Sequence, residues 1–118
     1  MSVQGGGTTR FDVLDLLATM VAVIRADGRL LFVNAMFEDV AGLSRRTLMR
    51  GSLFDWFVDP RQLRETVTAV ARNEIATGRF DATLRRAPVA AHELLPVHVI
   101  VTQIDHHGGE RVLVEMLE

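Results

Sequence analysis

The segment M20-V-A-V-I-R-A-D-G-R-L-L-F-V-N34 constrains the fold more than any other part of the chain. Two short runs rich in β-branched residues flank Asp27-Gly28, a dipeptide suited to the positive φ values of a tight hairpin turn. Asn34 ends the second run, and its side-chain carbonyl can cap the amides of the next turn, starting a helix over 35–41 that stops at Gly42. Ser44 repeats the device for a helical turn that ends before Gly51. Ser52, with Asp55 three residues on, resembles a capping box for L53-F-D-W-F57. Three short helical pieces therefore follow one hairpin.

Upstream, F11-D-V-L-D-L-L-A-T19 places Phe11, Leu14 and Leu17 on one side at helical spacing, with Asp12 and Asp15 near the amino end, where the helix dipole favours anions. The pattern predicts a short amphipathic helix, 10–19, and the glycine-rich residues 1–9 read as a flexible leader. Downstream, Asp59-Pro60 is a cap followed by proline at the first helical position. Leu63, Val67, Val70, Ala71 and Ile75 then recur at three and four residues, which predicts the longest helix, about 60–77, stopped by Gly78. Three strands complete the chain: 79–86, 93–104 and 111–118, the last two joined by the turn His106-His107-Gly108-Gly109. The order α-ββ-ααα-α-βββ specifies an α+β fold with a mostly antiparallel five-stranded sheet, helices on one face and a capping helix at the amino end.

With 118 residues and 13.1 kDa the chain is one domain, large enough to bury roughly 65% of the surface its unfolded form exposes. It has no cysteine, so disulfide, thiolate and iron–sulfur chemistry are excluded. All thirteen Lys+Arg cations are arginine, which removes Schiff-base catalysis and the phosphate-binding lysine of kinases. A net charge of −2, with scattered arginines, gives no footprint for nucleic acid. No apolar run approaches a membrane span and the start lacks a signal-peptide layout, so the expected compartment is the cytoplasm.

The segment V33-N34-A-M-F37-E-D-V-A-G42-L-S44-R-R-T-L48-M-R-G51 resembles the PAS pattern of Asn-x-x-Phe, a glycine five residues on, and a second glycine closing the next turn. The Asp27-Gly28 hairpin before it and the three closing strands fit as well, so the resemblance covers residues 10–118, with Asn34, Gly42 and Gly51 as its structural motif. The ending V112-L-V-E-M-L-E118 further resembles the amino-terminal sensor domain of nitrogen-regulation (NtrB-type) histidine kinases. The resemblance implies a sensory and dimerisation module in a two-component system. It would feed a kinase transmitter region further along a longer protein, in a family that also has a regulatory protein partner. The chain itself carries no phospho-acceptor segment or ATP-binding glycine boxes, and so no enzymatic activity of its own is expected.

No cofactor is expected either. Cysteinyl flavin is excluded, and haem of the oxygen-sensing kind uses a histidine on the long helix, which 60–77 lacks. The candidate pocket is lined by Val23, Phe32, Phe80, Leu84, Val99 and Val114 from the strands and by Phe37, Leu48, Leu53 and Val67 from the helices. Trp56, between Phe54 and Phe57, reads either as core or as a stacking platform for a flavin or nucleotide. Such a lining fits a small hydrophobic ligand or a cavity filled by its own side chains, and the small size of the domain favours the second. His98, in a strand, reads as a packed or solvent-tipped histidine and the His106-His107 pair as a solvated hairpin tip, neither as metal ligands. Asp55, Asp59 and Arg61 form a conceivable acid–base set for a small α+β enzyme, but each has a structural duty at a helix start. Arg45-Arg46 and Arg85-Arg86 read as solvated faces able to meet an acidic partner.

Two capacities of particular residues follow. As a cap, Asn34 predicts a loss of about 0.5–2 kcal/mol in Asn34→Ala and much less in Asn34→Asp. The closing strands are apolar on both faces, with Ile100 among Val97, Val99 and Val101, and Leu113 and Leu117 among Val112, Val114 and Met116. Helices 35–77 can cover one face only. The stripe Phe11, Leu14, Leu17 is therefore expected to lie on the other and, with Ile100 and Leu113, to form a homodimer interface.

Overall fold

The computed structural model describes residues 11–87, 90–104 and 111–118; the leader expected over 1–9 and the turn 106–109 lie outside the described residues. Strand β1 (Met20–Arg25) pairs antiparallel with β2 (Leu30–Val33) through the Asp27-Gly28 turn, where Gly28 has φ 93°. A Cβ on Gly28 would come within 2.5 Å of the Phe54 ring and Ser52 Oγ, so this turn needs glycine both for its conformation and for its space. Helices α1 (Ala35–Ala41) and α2 (Arg45–Leu48) begin at Asn34 and Ser44, whose side chains accept from Phe37 N and Thr47 N. Gly42 ends α1 in the left-handed conformation, φ 72°. Ser52 caps a 3-10 turn, Leu53–Trp56, by accepting from Phe54 N.

Helix α3 (Arg61–Ala71) is six residues shorter at its carboxyl end than the spacing predicts. Asn73 takes φ 63°, its N–H donates to Val70 O, and Glu74 N–H reaches back to Ala69 O, the paired bonds of a Schellman ending. Asn73 is therefore the stop, Ile75 is exposed, and Gly78 lies inside β3 (Thr77–Ala87). Strands β4 (Ala90–Gln103) and β5 (Arg111–Leu117) complete one sheet of order β2-β1-β5-β4-β3, with every pairing antiparallel. The α+β architecture is the expected one.

The amino-terminal helix expected over 10–19 is instead a 3-10 turn of five residues, Asp12–Leu16. The reason is tertiary. Asn34 Nδ2 donates to Leu14 O (3.0 Å) and Thr19 O (2.8 Å), taking the carbonyl that an α-helix would give to residue 18. Leu17 is already extended (ψ 146°), and the chain enters β1 three residues later.

The helices lie on one face of the sheet. Register assigns Met20, Ala22, Ile24, Leu30, Val33, Phe80, Leu84, Val97, Val99, Val101, Val112, Val114 and Met116 to that inner face, where they pack with Phe37, Ala41, Leu48, Leu53, Phe54, Phe57, Leu63, Val67 and Val70. The opposite, outer face carries Val21, Val23, Phe32, Ile100, Leu113 and Leu117.

Candidate functional site

Apolar space lies between the helices and the inner face, beside α1 where Met20, Met36, Val40 and Met116 line a groove of about 270 Å³, and on the outer face with the amino-terminal 3-10 turn on it. In the first, Phe37, Trp56 and Leu84 meet Met20, Val40, Ala41, Arg85 and Leu95 around a space of about 10 Å³, the room of about one water molecule. Phe37 and Trp56 pack edge to face, with ring centroids 6.0 Å apart, so the aromatic trio of the 3-10 turn is committed to packing. Leu48, Leu53, Val67, Phe80, Val99 and Val114 are buried in the same core. Val23 and Phe32 are not part of this lining: Val23 pairs with Phe32 and with Leu113, all on the outer face. The β1 run has no polar residue before Arg25 to reveal which members point inward, so its spacing does not single out Met20 as part of the lining.

Asn34 is wholly buried and joins three elements. Its Oδ1 accepts from Phe37 N and Val21 N, both at 3.0 Å, while Nδ2 holds the carbonyls of Leu14 and Thr19. Every hydrogen-bonding capacity of the amide is used. Beside it Asp15 Oδ1 accepts from Ala35 N (2.8 Å) and from Arg45 Nη2 (2.9 Å), and Arg45 Nη2 also reaches Glu38 Oε1 (3.1 Å). Arg45 further stands 4.9 Å over the Phe32 ring, so it is a structural clamp rather than the free cation expected of it. The side chain of Arg86 lies outside the described residues. The turn Asp12–Leu16 is thus pinned by polar bonds, and its ring contact is Phe11 against Phe32, 5.8 Å between centroids.

The family described as PAS fold matches this chain over residues 10–117. The chain is a PAS domain. Solved structures similar to it include the PAS domain of nitrogen regulation protein NR(II) from Vibrio parahaemolyticus. It is 17% identical, with 94% of this chain and 99% of that one covered, at a TM-score of 0.70. A PAS domain from a two-component sensor histidine kinase is 15% identical, covering 88% of this chain and 87% of the other, at 0.70. The PAS domain of the Cronobacter turicensis quorum-sensing receptor RpfR, solved in complex with BDSF, is 12% identical, covering 86% and 94%, at 0.69. At such identities the likeness is one of fold. No curated protein matches the sequence.

On the outer face of the PAS domain, Phe11, Val13, Leu14, Ile104 and Leu113 line an apolar groove of about 320 Å³. Leu113, Leu117 and Ile100 are half-buried there, while Val13, Leu16 and Leu17 of the amino-terminal segment are 63%, 83% and 43% exposed. His98 also belongs to this face, with Nδ1 2.9 Å from Asp81 Oδ1. Among the described residues no group of three His, Asp or Glu side chains can hold a metal ion, and no helix is long and apolar enough to cross a membrane. Asp59 and Arg61 are exposed and paired to one another, Nη2 to Oδ2 at 2.7 Å. The side-chain hydrogen bond from Arg61, with its backbone N–H second, holds the Asp59 carboxyl down to about 2. A carboxyl held ionised in this way makes a poor proton shuttle near neutral pH, and Asp59 serves the start of α3 instead.

Proposed function

We propose that this PAS domain is the sensory and dimerisation module of a cytoplasmic two-component sensor histidine kinase of the nitrogen-regulation type. It works without a cofactor and passes its signal to a kinase transmitter region of the same protein. The observation that carries this reading is the contrast between the two sites. Around Phe37, Trp56 and Leu95 the inner space keeps only about 10 Å³, whereas the outer face keeps an apolar groove of about 320 Å³ beside exposed Leu16 and Leu17. An exposed apolar strip of that kind suits association with another protein surface. The similarity to the NR(II) and histidine-kinase PAS domains supports the kinase setting. The rival reading is a sensor with a bound small hydrophobic molecule or flavin. It draws on the similarity to the RpfR domain and requires the packing of Phe37, Trp56 and Leu95 to open.

Native mass spectrometry of the purified domain separates the two, because it reports ligand and oligomer together. The expected species is a dimer at twice the chain mass, from a colourless solution. A retained small molecule, or a visible absorption band that survives purification, would favour the rival. For the kinase setting, the full-length protein is expected to autophosphorylate on histidine, and a full-length protein without any phosphotransfer activity would overturn it.

A further inference from the structure

Strand β3 ends the sheet, and two bonds fix which way its backbone groups point. Val58 N–H donates to Thr83 O (3.0 Å), so Thr83 turns away from β4, whereas Gln103 N–H donates to Ala76 O (3.3 Å), so Ala76 turns towards it. The pairing with β4 runs without a shift from Thr77 to Arg85, and the bonding side alternates along an antiparallel strand. Thr77, Arg79 and Asp81 therefore aim both N–H and C=O at the open side, where among the described residues no backbone group meets them. All three are exposed. The other edge strand, β2, has only four residues, and Arg29 beside its first residue is bridged to Ser52.

The chain itself lays an extended segment on the β3 edge. Phe57 makes an isolated antiparallel bridge with Leu84, and the backbone then turns off at Asp59-Pro60 into α3. Where it leaves, Val58, Asp59, Gln62, Asp81, Ala82 and Thr83 line a cleft of about 230 Å³ beside the unpaired stretch. Charge does not close this edge. Asp81 is drawn back over β4, its Oδ1 2.9 Å from His98 Nδ1, Arg79 on the same face carries the opposite sign, and Asp59 is met by Arg61.

We propose that the β3 edge at residues 77–81 takes up an extended, uncharged segment of another protein as an added antiparallel strand. The direction is that of Phe57-Val58, whose path the added strand continues. Main-chain bonds to Arg79 and Asp81 supply the attraction, and a side chain opposite Ala82 enters the cleft beside Val58 and Gln62. Because Arg79 and Asp81 cancel, a segment of either net charge gains nothing here. A second copy of this chain fits less well. The register that sets Arg79 opposite a second copy's Asp81 also sets Thr77 opposite a second copy's Thr83, whose open side is already taken by Val58. The neighbouring register brings two Arg79 side chains face to face. The inference depends on neither the kinase setting nor the dimer.

The test titrates the isotope-labelled 118-residue chain with a capped heptapeptide of alternating threonine and valine and follows its amide resonances by NMR. Saturable shifts should centre on residues 77–83, and the N–H groups of Arg79 and Asp81, open to solvent in the free domain, should become protected from hydrogen exchange. Arg79→Pro removes an outward donor and sets a ring in the path of the added strand, while the bonds to β4 come from residues 78, 80 and 82. It should bind the peptide about tenfold more weakly or worse. Arg79→Gln changes the charge alone and should bind like the wild type. Equal binding by Arg79→Pro and the wild type would overturn the proposal, as would equal weakening in Arg79→Gln. The wild-type spectra decide independently of whether Arg79→Pro folds: no saturable shift, or shifts centred elsewhere, would count against the edge. Protection of Arg79 and Asp81 that grows with protein concentration before any peptide is added would give the edge to a second copy instead and overturn the proposal equally.

Discussion

Asn34 carries more of the fold than a helix cap does. Its amide donates as well as accepts, which a carboxylate cannot do, and the expectation that Asn34→Asp is mild does not survive the contacts of Nδ2 with Leu14 O and Thr19 O. Asn34→Ala leaves Val21 N and Phe37 N buried without their partner and should cost about 3 kcal/mol in denaturant titration. In Asn34→Asp the new carboxylate faces two carbonyl oxygens. It should cost at least as much at neutral pH and recover part of the loss as acid protonates it into a donor. A loss below about 1 kcal/mol in Asn34→Asp would mean that only the capping oxygen matters. Asp59 offers a second measurement at this scale. Its folded-state value of about 2 lies below the ordinary 3.8. The pair with Arg61 therefore contributes stability at and above the ordinary value and loses it as pH falls towards 2. Titration of the Asp59 carboxyl by NMR should show the low midpoint in the wild type and a return towards 3.8 in Arg61→Gln.

Among the elements, the two left-handed glycines separate conformation from space. Gly42, φ 72°, has nothing within 4 Å of where a Cβ would stand, so Gly42→Ala should cost only the backbone term, about 1 kcal/mol. Gly28→Ala adds a collision with Phe54 and Ser52 and should cost at least twice as much; equal losses in thermal unfolding would show that the hairpin yields to relieve the clash. These positions also mark what the sequence makes legible. The Asp27-Gly28 turn, the capping bonds of Asn34, Ser44 and Ser52 and the stop at Gly42 span only a few residues, and each is readable from spacing alone. The end of α3 is equally local, but two stop signals, Asn73 and Gly78, lie five residues apart, and the Schellman bonds form at Asn73. The amino-terminal helix was not readable, because Asn34, twenty residues away, takes the Leu14 carbonyl. Nor is the phase of β1 and β2, unbroken apolar runs buried on both faces, and so spacing alone does not show that Val23 and Phe32 lie on the outer side of the sheet.

At the scale of the whole molecule, the question is what covers the outer face. The amino-terminal 3-10 turn spans five residues and seals the β1–β2 end, where Val21 and Val23 are fully buried and Phe32 nearly so. Beyond it Ile100, Ile104, Leu113 and Leu117 stay half-exposed, and Val13 and Leu16 are largely exposed. A turn this short cannot extend to close the gap. In the proposed homodimer, a second copy related by a two-fold axis would bring its own Val13 and Leu16 to the same strip, so that one contact would bury both sets. Val13→Asp with Leu16→Asp tests this better than charges at Leu14, which is half-buried in the protomer and beside the bonds to Asn34. Light scattering should show a wild-type dimer and a monomeric double variant, with the far-ultraviolet circular dichroism of both alike, since neither side chain belongs to the core. A wild type that remains monomeric at high micromolar concentration, or a double variant that remains dimeric, would place the second copy elsewhere or remove it.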